Sequence, residues 1–221
     1  MVLWTMQILE SEQGQDVSLA ILMIGHNVPP DGPVQLDDLA GGTGRLDVLI
    51  RGLQTGLLTS HGLREDVILD WLLCGGEVDR WRWMRWVGRD LRRVSADERS
   101  IGGHVRGVLN EKVPRNRWTK HAPGLFSRRG VLGDVLASWK GAGRSTVILD
   151  RDGPPLEGPL LLGTRIGLVV SDHQPLTVEE EGLFGEHGAQ RANIGSNWLQ
   201  GHSSIALALA VLDGDVMINV E

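Results

Sequence analysis

An α/β domain on a mainly parallel sheet flanked by helices is the fold class that the sequence predicts, and three observations predict it. Short apolar runs of strand length at residues 18–25, 67–73 and 166–170 read as strands covered on both faces. Helical stretches with caps or apolar stripes alternate with them, the order of a βαβ sheet rather than of a sandwich or a bundle. The 221 residues are 41% hydrophobic and 23% charged, enough to bury one full core. One domain over residues 17–221 is expected, behind a segment 1–16 that reads as an N-terminal arm or extra strand.

The first strand, 18–25, ends at Gly25, and Pro29-Pro30-Asp31-Gly32 marks the following loop as turn-rich. Residues 43–59 carry Leu46, Leu49, Ile50, Leu53 and Leu57 on one stripe and predict an amphipathic helix. Its entry, Gly41-Gly42-Thr43-Gly44, is a glycine-rich turn of the kind that can present N–H groups to an anion. It lacks the third Gly of a dinucleotide fingerprint and the Lys of a P-loop, so a plain helix entry is the stronger reading. Arg45 and Asp47 fall on the first turn, either as a solvated ion pair or facing a cleft. Residues 67–73 are a buried strand. Over 80–87, Trp81 and Trp83 alternate with arginines at period two, which predicts a half-buried strand with the tryptophans inward. Trp118 stays open between core packing and stacking on a base. Ser95 is placed to cap a helix running to about residue 109, with Glu98 three positions on as in a capping box. Residues 115–129 read as a basic loop around Pro123-Gly124. A helix at 131–140, a strand at 145–149 and a Pro/Gly-rich loop at 150–159 follow. After the strand at 166–170 come a helix at 177–184 capped by Thr177, a short strand at 191–194 and an apolar helix at 198–212. A last strand within 211–220 fits the pattern.

Net charge is −6, which excludes a globally basic nucleic-acid binder, but the average hides a split. Residues 80–129 hold 14 of the 22 Lys/Arg against four acids, a local +10. The remainder holds eight basic and 24 acidic residues, a local −16. Local charge says more about partners than the net value does. Cys74, the one cysteine, permits no intramolecular disulfide and reads as a small core residue in a reducing compartment. No apolar run has the length of a membrane span and no signal-peptide pattern opens the chain, so cytoplasm is the expected location. The seven His are scattered, and no metal site is expected. Ser60-His61 lacks the nucleophile-elbow pattern of a hydrolase.

In parallel α/β sheets, ligands bind beyond the carboxyl ends of the strands. That rule selects three loops, 150–153, 171–176 and 195–199. All lie in the acidic part of the chain, which points away from a polyphosphate and toward a neutral or cationic ligand. S-adenosylmethionine, with its positive sulfonium, fits that description.

Five segments stand out as a set: Leu36-Asp37-Asp38-Leu39-Ala40-Gly41-Gly42-Thr43-Gly44-Arg45-Leu46-Asp47-Val48-Leu49, then Leu58-Thr59-Ser60-His61-Gly62-Leu63-Arg64-Glu65-Asp66-Val67, then Gly88-Arg89-Asp90-Leu91-Arg92-Arg93-Val94-Ser95-Ala96-Asp97-Glu98-Arg99-Ser100, then Ala122-Pro123-Gly124-Leu125-Phe126-Ser127-Arg128-Arg129-Gly130, and Val169-Val170-Ser171-Asp172-His173. In order and spacing they resemble the archaeal tRNA pseudouridine N1-methyltransferases, a likeness that runs from about residue 18 to 213. The resemblance implies a SPOUT-class fold with a C-terminal trefoil knot, a homodimer, and S-adenosylmethionine bent into the knot as cofactor. Members of that family methylate N1 of pseudouridine in the T-loop of tRNA, and a sister family does so in ribosomal RNA.

Carried over by position, the resemblance implies that Leu149, Asp150, Val170, Ser171, Asp172, His173, Ile194, Gly195, Leu199, Ser204 and Ile205 bind the cofactor, largely through backbone. Arg45 and Asp47 match the pair that faces the target nucleoside, Asp97 and Arg99 a second motif near it, and Arg128 and Arg129 an RNA-facing loop. The chemistry agrees. Pseudouridine N1 must lose its proton to attack a methyl sulfonium; Asp47 can accept or orient that N1–H, and Arg45 can stabilise the oxygen that gains charge. The basic block would supply phosphate contacts, with the base presented outside a stack. One departure stands. The family's last motif is rich in histidine and ends in His-Asn; its histidines fall here on Gln200, Ser203 and Leu209 and its Asn on Ala210, with His202 one position out of register. An S-adenosylmethionine-dependent RNA methyltransferase is the expected function. The alternatives are a catalytically altered RNA-binding or cofactor-binding homodimer of the same fold, or a methyltransferase with another target.

Overall fold

Most of the apolar runs become strands of one sheet. The computed structural model describes residues 18–156, 165–195 and 197–215. In chain order its main elements are β1 (Leu19–Gly25), α1 (Leu46–Leu57), β2 (Leu58–Thr59), β3 (Gly62–Leu63), β4 (Val67–Leu73), β5 (Arg82–Val87), α2 (Glu98–Leu109), β6 (Thr119–Ala122), β7 (Leu125–Arg129), α3 (Leu132–Gly141), β8 (Arg144–Leu149), β9 (Arg165–Ser171), α4 (Val178–Glu186), β10 (Gln190–Ala192) and α5 (Gly201–Leu212). The expected arm at 1–16 and the last strand beyond α5 fall outside the described residues.

Eight strands form one sheet in the order β10-β8-β9-β1-β4-β5-β7-β6. β10, β8, β9, β1 and β4 run parallel, and β5, β7 and β6 continue the sheet antiparallel. The sheet is therefore mainly parallel, as the apolar runs predict. Registers bring Ile24 beside Ser171 and Gly25 beside Leu73, so β1, β9 and β4 leave the sheet level with one another. β2 and β3 form a small separate hairpin with Ser60 and His61 exposed at its turn.

Alternate residues of β1 divide between two cores. Leu19, Ile21 and Met23 face α1, α2 and α5, whereas Ala20, Leu22 and Ile24 face α3 and α4. α5 lies close on α1 because Gly52 has no side chain: a Cβ there would run into Met23 and press on Ile205.

Three expectations about β5 and the segments after it are corrected. β5 is buried on both faces, not half-buried, and Arg82 and Arg85 are interior residues. Arg85 pairs with the fully buried Asp70 of β4 at 2.8 and 3.0 Å, and Asp70 also accepts the indole N–H groups of Trp83 at 2.8 Å and Trp139 at 3.1 Å. Arg82 donates to the Val108 carbonyl at the end of α2, a cation at a helix C-terminus, and to Asp31. The stretch read as a basic loop is the β6–β7 hairpin, with Pro123-Gly124 as its turn; Gly124 takes φ 73° against the Leu91 backbone, where a side chain would collide. Ser95 does not cap α2. Asp97 does, accepting the Ser100 N–H at 2.7 Å, and Ser95 donates instead to the Ser100 hydroxyl. Trp118, left open by the sequence, packs edge-on against Trp83 at 4.6 Å.

Candidate active site

A cavity of about 330 Å³ opens beyond the carboxyl ends of β8 and β9, bounded by the loop before α5 and the first turn of that helix. Its size is that of a small-molecule site. Leu149, Asp150, Val170, Ser171, Asp172, His173, Ile194, Gly195, Leu199 and Ser204 all line it, joined by Arg151, Trp198 and Gly201. Ile205, expected with them, does not line it; that side chain is fully buried against α1. Trp198 stands 69% exposed at the rim with the Arg151 guanidinium 4.8 Å from its ring, a cation–π contact.

The acids of these loops do not present free negative charge, which corrects the simple charge argument for a cationic ligand. Asp150 is paired with Arg191, which also holds Glu181. Asp172 is paired with His26, from the end of β1, and the same ring holds Glu180. Hydrogen bonds to Asp172 and Glu180 raise the His26 pKa to about 9 against the opposing pull of burial. Burial, the largest single influence, would raise both carboxyls; the His26 hydrogen bonds and charge, together with hydrogen bonds from Gln174 to Asp172 and from Thr177 to Glu180, outweigh it and hold both below the usual carboxylate range. Sequence reasoning missed His26, although the strand-end rule that selects Asp172 also covers the end of β1.

Arg45 and Asp47 are brought together at the start of α1. Asp47 is 3% exposed and accepts Arg45 Nε at 2.9 Å, Arg45 Nη2 at 3.2 Å and Arg51 Nη2 at 2.7 Å. Burial would raise the Asp47 carboxyl, but the two guanidinium groups prevail and hold it below its ordinary value. Arg51 reaches on to Glu98 at 3.6 Å, joining the site to α2. Arg45 itself adopts a left-handed backbone, φ 70° and ψ 37°, a conformation that costs a non-glycine residue about 1–2 kcal/mol. The preceding Gly44 is also left-handed, and a Cβ on it would collide with the Asn27 carbonyl oxygen. This packing seats Arg45 beside the end of β1, near enough to Asp172 to feel its charge. The N–H groups of Gly41, Gly42, Arg45 and Asp47 all bond within the turn, which favours a plain helix entry over an anion cradle.

The residues expected to face RNA separate into two kinds. Arg99 is exposed and leans on Asp37, and Asp97 is spent on the α2 cap. Arg129 grips Asp31 with both carboxylate oxygens, at 2.9 and 2.7 Å, and is only 16% exposed. Arg128 stacks on Trp83 and Trp118 with its guanidinium carbon 4.8 and 5.4 Å from their rings. These two arginines therefore carry internal contacts of the sheet edge. Of the basic block, Arg80, Arg92, Arg93, Arg99, Arg106, Lys112, Arg115, Arg117 and Lys120 are exposed.

The cavity suits an adenosyl amino acid. Leu149, Val170, Ile194 and Leu199 offer apolar wall to a flat base. Gln200 gives α5 no side-chain cap, and Gly201 and Ser204 of its first turn line the cavity. Fold and site together define an α/β protein with a cavity of small-molecule size beyond the carboxyl ends of parallel strands, and with the buried Asp47 held by a part-exposed Arg45 near the end of β1. The family model described as putative SAM-dependent RNA methyltransferase matches residues 19–216, and the chain belongs to that family. A relative from Methanococcoides burtonii named tRNA (pseudouridine(54)-N(1))-methyltransferase is 34% identical over 174 residues, 79% of this chain and 85% of the relative. Relatives of the same name from Haloarcula marismortui and Natronomonas pharaonis are 35% and 36% identical, over 87% and 88% of this chain and 94% and 96% of their own. Among solved structures, Nep1 of Archaeoglobus fulgidus bound to S-adenosylhomocysteine matches with a TM-score of 0.62 and 12% identity, over 89% of this chain and 99% of that one. At that identity the match speaks to the fold.

Proposed function

We propose that the protein transfers the methyl group of S-adenosylmethionine to N1 of a pseudouridine in tRNA. The observation that carries the reading is that the end of β1 joins the two parts of the site: Gly44, just before Arg45, packs on the Asn27 backbone, and the adjacent His26 holds Asp172 of the cavity wall. In pseudouridine the ribose is joined through carbon, which leaves N1 as a free N–H. S-adenosylmethionine, when bound, supplies an electrophilic methyl on its sulfonium. Asp47, kept ionised by Arg45 and Arg51, orients the N1–H as an acceptor; a carboxyl held this low is a poor resting place for the proton, which leaves to solvent at the open cavity mouth. Arg45 offers donors to the ring oxygen that gains charge as N1 is deprotonated. The remainder is positioning of two reactants. Exposed Arg92, Arg93, Arg99 and Arg106 hold RNA phosphates in this reading.

The exchanges in the family's histidine motif leave this reading in place over a catalytically altered one. Gly201 and Ser204 still line the cavity, and Leu209 is buried in the core rather than facing ligand. The same reading includes a trefoil-knotted C-terminal part, a cytoplasmic location and a homodimer. No helix among the described residues is long and apolar enough to cross a membrane. The test of the cofactor is thermal melting with S-adenosylhomocysteine. At a hundredfold excess over Kd, binding adds about 2.7 kcal/mol of apparent stability, and an unmoved transition would overturn the reading.

A further inference from the structure

The cavity wall from Ser171 to Gln174 is held from behind by one side chain of a neighbouring strand. His26 follows β1 and Asp172 follows β9, and the two strands leave the sheet level with each other. Both oxygens of Asp172 are gripped. The His26 backbone N–H donates to Oδ2 at 2.9 Å, imidazole Nδ1 donates to Oδ1 at 2.9 Å, and the Gln174 N–H donates to Oδ1 at 2.8 Å. The far ring nitrogen, Nε2, donates to Glu180 Oε2 at 3.1 Å, and that oxygen also accepts the Thr177 N–H at the start of α4. A ring that faces a carboxylate at each nitrogen is an imidazolium, a donor on both sides. The three side chains are 10%, 1% and 7% exposed. A buried ionic triad gains little stability over an apolar core of the same shape. What a fully satisfied one supplies is fixed geometry, and here the fixed parts are the cavity wall and the start of α4.

We propose that His26 is a positioning residue of the cofactor site: its imidazolium ties the end of β1 to Asp172 and Glu180 and so presets the Ser171–Gln174 wall against the ligand. The proposal rests on the S-adenosyl reading of the cavity. His26 is not among the residues that line the cavity, so its effect runs through Asp172. Around the triad stand His173, whose Nδ1 is 3.6 Å from Asp172 Oδ2, the buried Cys74 thiol, and the Arg45 guanidinium. A wall already in its bound shape spares the ligand the cost of ordering it.

Two variants divide the ring's contacts. The amide nitrogen of His26→Asn falls near the Nδ1 position and keeps Asp172; that of His26→Gln reaches the Nε2 position and keeps Glu180 instead. S-adenosylhomocysteine is titrated calorimetrically into the wild type and both variants, each first shown folded by a cooperative melt. The wild type binds, the Asn variant stays within about threefold of it, and the Gln variant is at least about tenfold weaker, or about 1.4 kcal/mol. In turnover the Gln variant raises KM for S-adenosylmethionine and leaves KM for RNA unchanged. Wild-type affinity in the Gln variant overturns the proposal, and so does an equal loss in both variants, which is what a merely structural histidine gives. A wild type that fails to bind overturns the cofactor reading itself, and this proposal with it. Should either variant not fold, nitrogen resonances of the wild-type His26 ring serve instead: a preset wall gives imidazolium signals in the ligand-free protein that barely move on saturation with S-adenosylhomocysteine, and a neutral ring in the free protein, or one that becomes charged only on binding, contradicts the proposal.

Discussion

Replacing Arg45 by glycine separates catalytic loss from structural loss. Arg45 is left-handed at φ 70°, so any side chain with a Cβ carries about 1–2 kcal/mol of strain there. The same side chain earns something back through its pair with Asp47. Arg45 is 41% exposed, so that pair contributes about 0.2–1 kcal/mol. The buried carboxylate is not stranded by the change, because Arg51 still reaches it at 2.7 Å. Arg45→Ala keeps the strain and loses the pair. Arg45→Gly loses both, and the extra freedom of unfolded glycine gives back about 0.5–1 kcal/mol. The glycine variant should therefore be more stable than the alanine variant by about 1 kcal/mol, or about 2–4 °C in Tm for a domain of this size, and close to the wild type. Both variants should lose about 10²–10³ in kcat, the effect of removing one preorganised donor from a developing charge. Calorimetric melts at pH 7 and single-turnover methyl transfer measure the two effects. An alanine variant as stable as the glycine variant would rule out backbone strain at Arg45, and wild-type turnover in either would rule out its catalytic role.

Asp70→Asn should cost about 3–5 kcal/mol in urea unfolding, since it removes the carboxylate facing fully buried Arg85; a loss under about 1 kcal/mol would contradict the interior ion pair. The His26 triad sets a pH dependence. Its stabilisation is complete below the unfolded value of 6.5 and is lost as pH rises through about 9, a span worth on the order of 3 kcal/mol at 1.36 kcal/mol per pH unit. Urea midpoints that stay level between pH 7 and 10 would remove it. Arg129→Glu should destabilise the fold by breaking the Asp31 clamp, whereas exposed Arg106→Ala should leave the melt unchanged and flatten the salt dependence of RNA affinity by roughly 0.7–0.9 in log–log slope. The reverse pattern would return Arg129 to the RNA surface.

Local pattern carried the strands, because β1, β4 and β9 are apolar runs covered on both faces. The cavity residues were reached by resemblance and by the strand-end rule, which depend on topology more than on side chains. What stayed hidden depended on partners distant in the chain. Arg82 and Arg85 look like solvated charges until Asp31 and Asp70 are placed beside them. The β6–β7 hairpin was concealed by its cations, among them Arg128 and Arg129, which pack on tryptophans or grip Asp31. His26 showed no motif because its partners lie 146 and 154 residues away. Ser95 and Asp97 are both good caps by type; the carboxylate two positions later satisfied the helix that begins at Glu98.

Methyl transfer to N1 of pseudouridine is tested most directly by nucleoside mass spectrometry. Two T-arm RNA hairpins, identical but for pseudouridine or uridine at one loop position, are incubated with the protein and S-adenosylmethionine. N1-methylpseudouridine is expected in the first and no methyl uptake in the second, whose N1 is already bonded to ribose, with the product lost in Asp47→Asn. No product from the pseudouridine hairpin, or equal methylation of both, would contradict it.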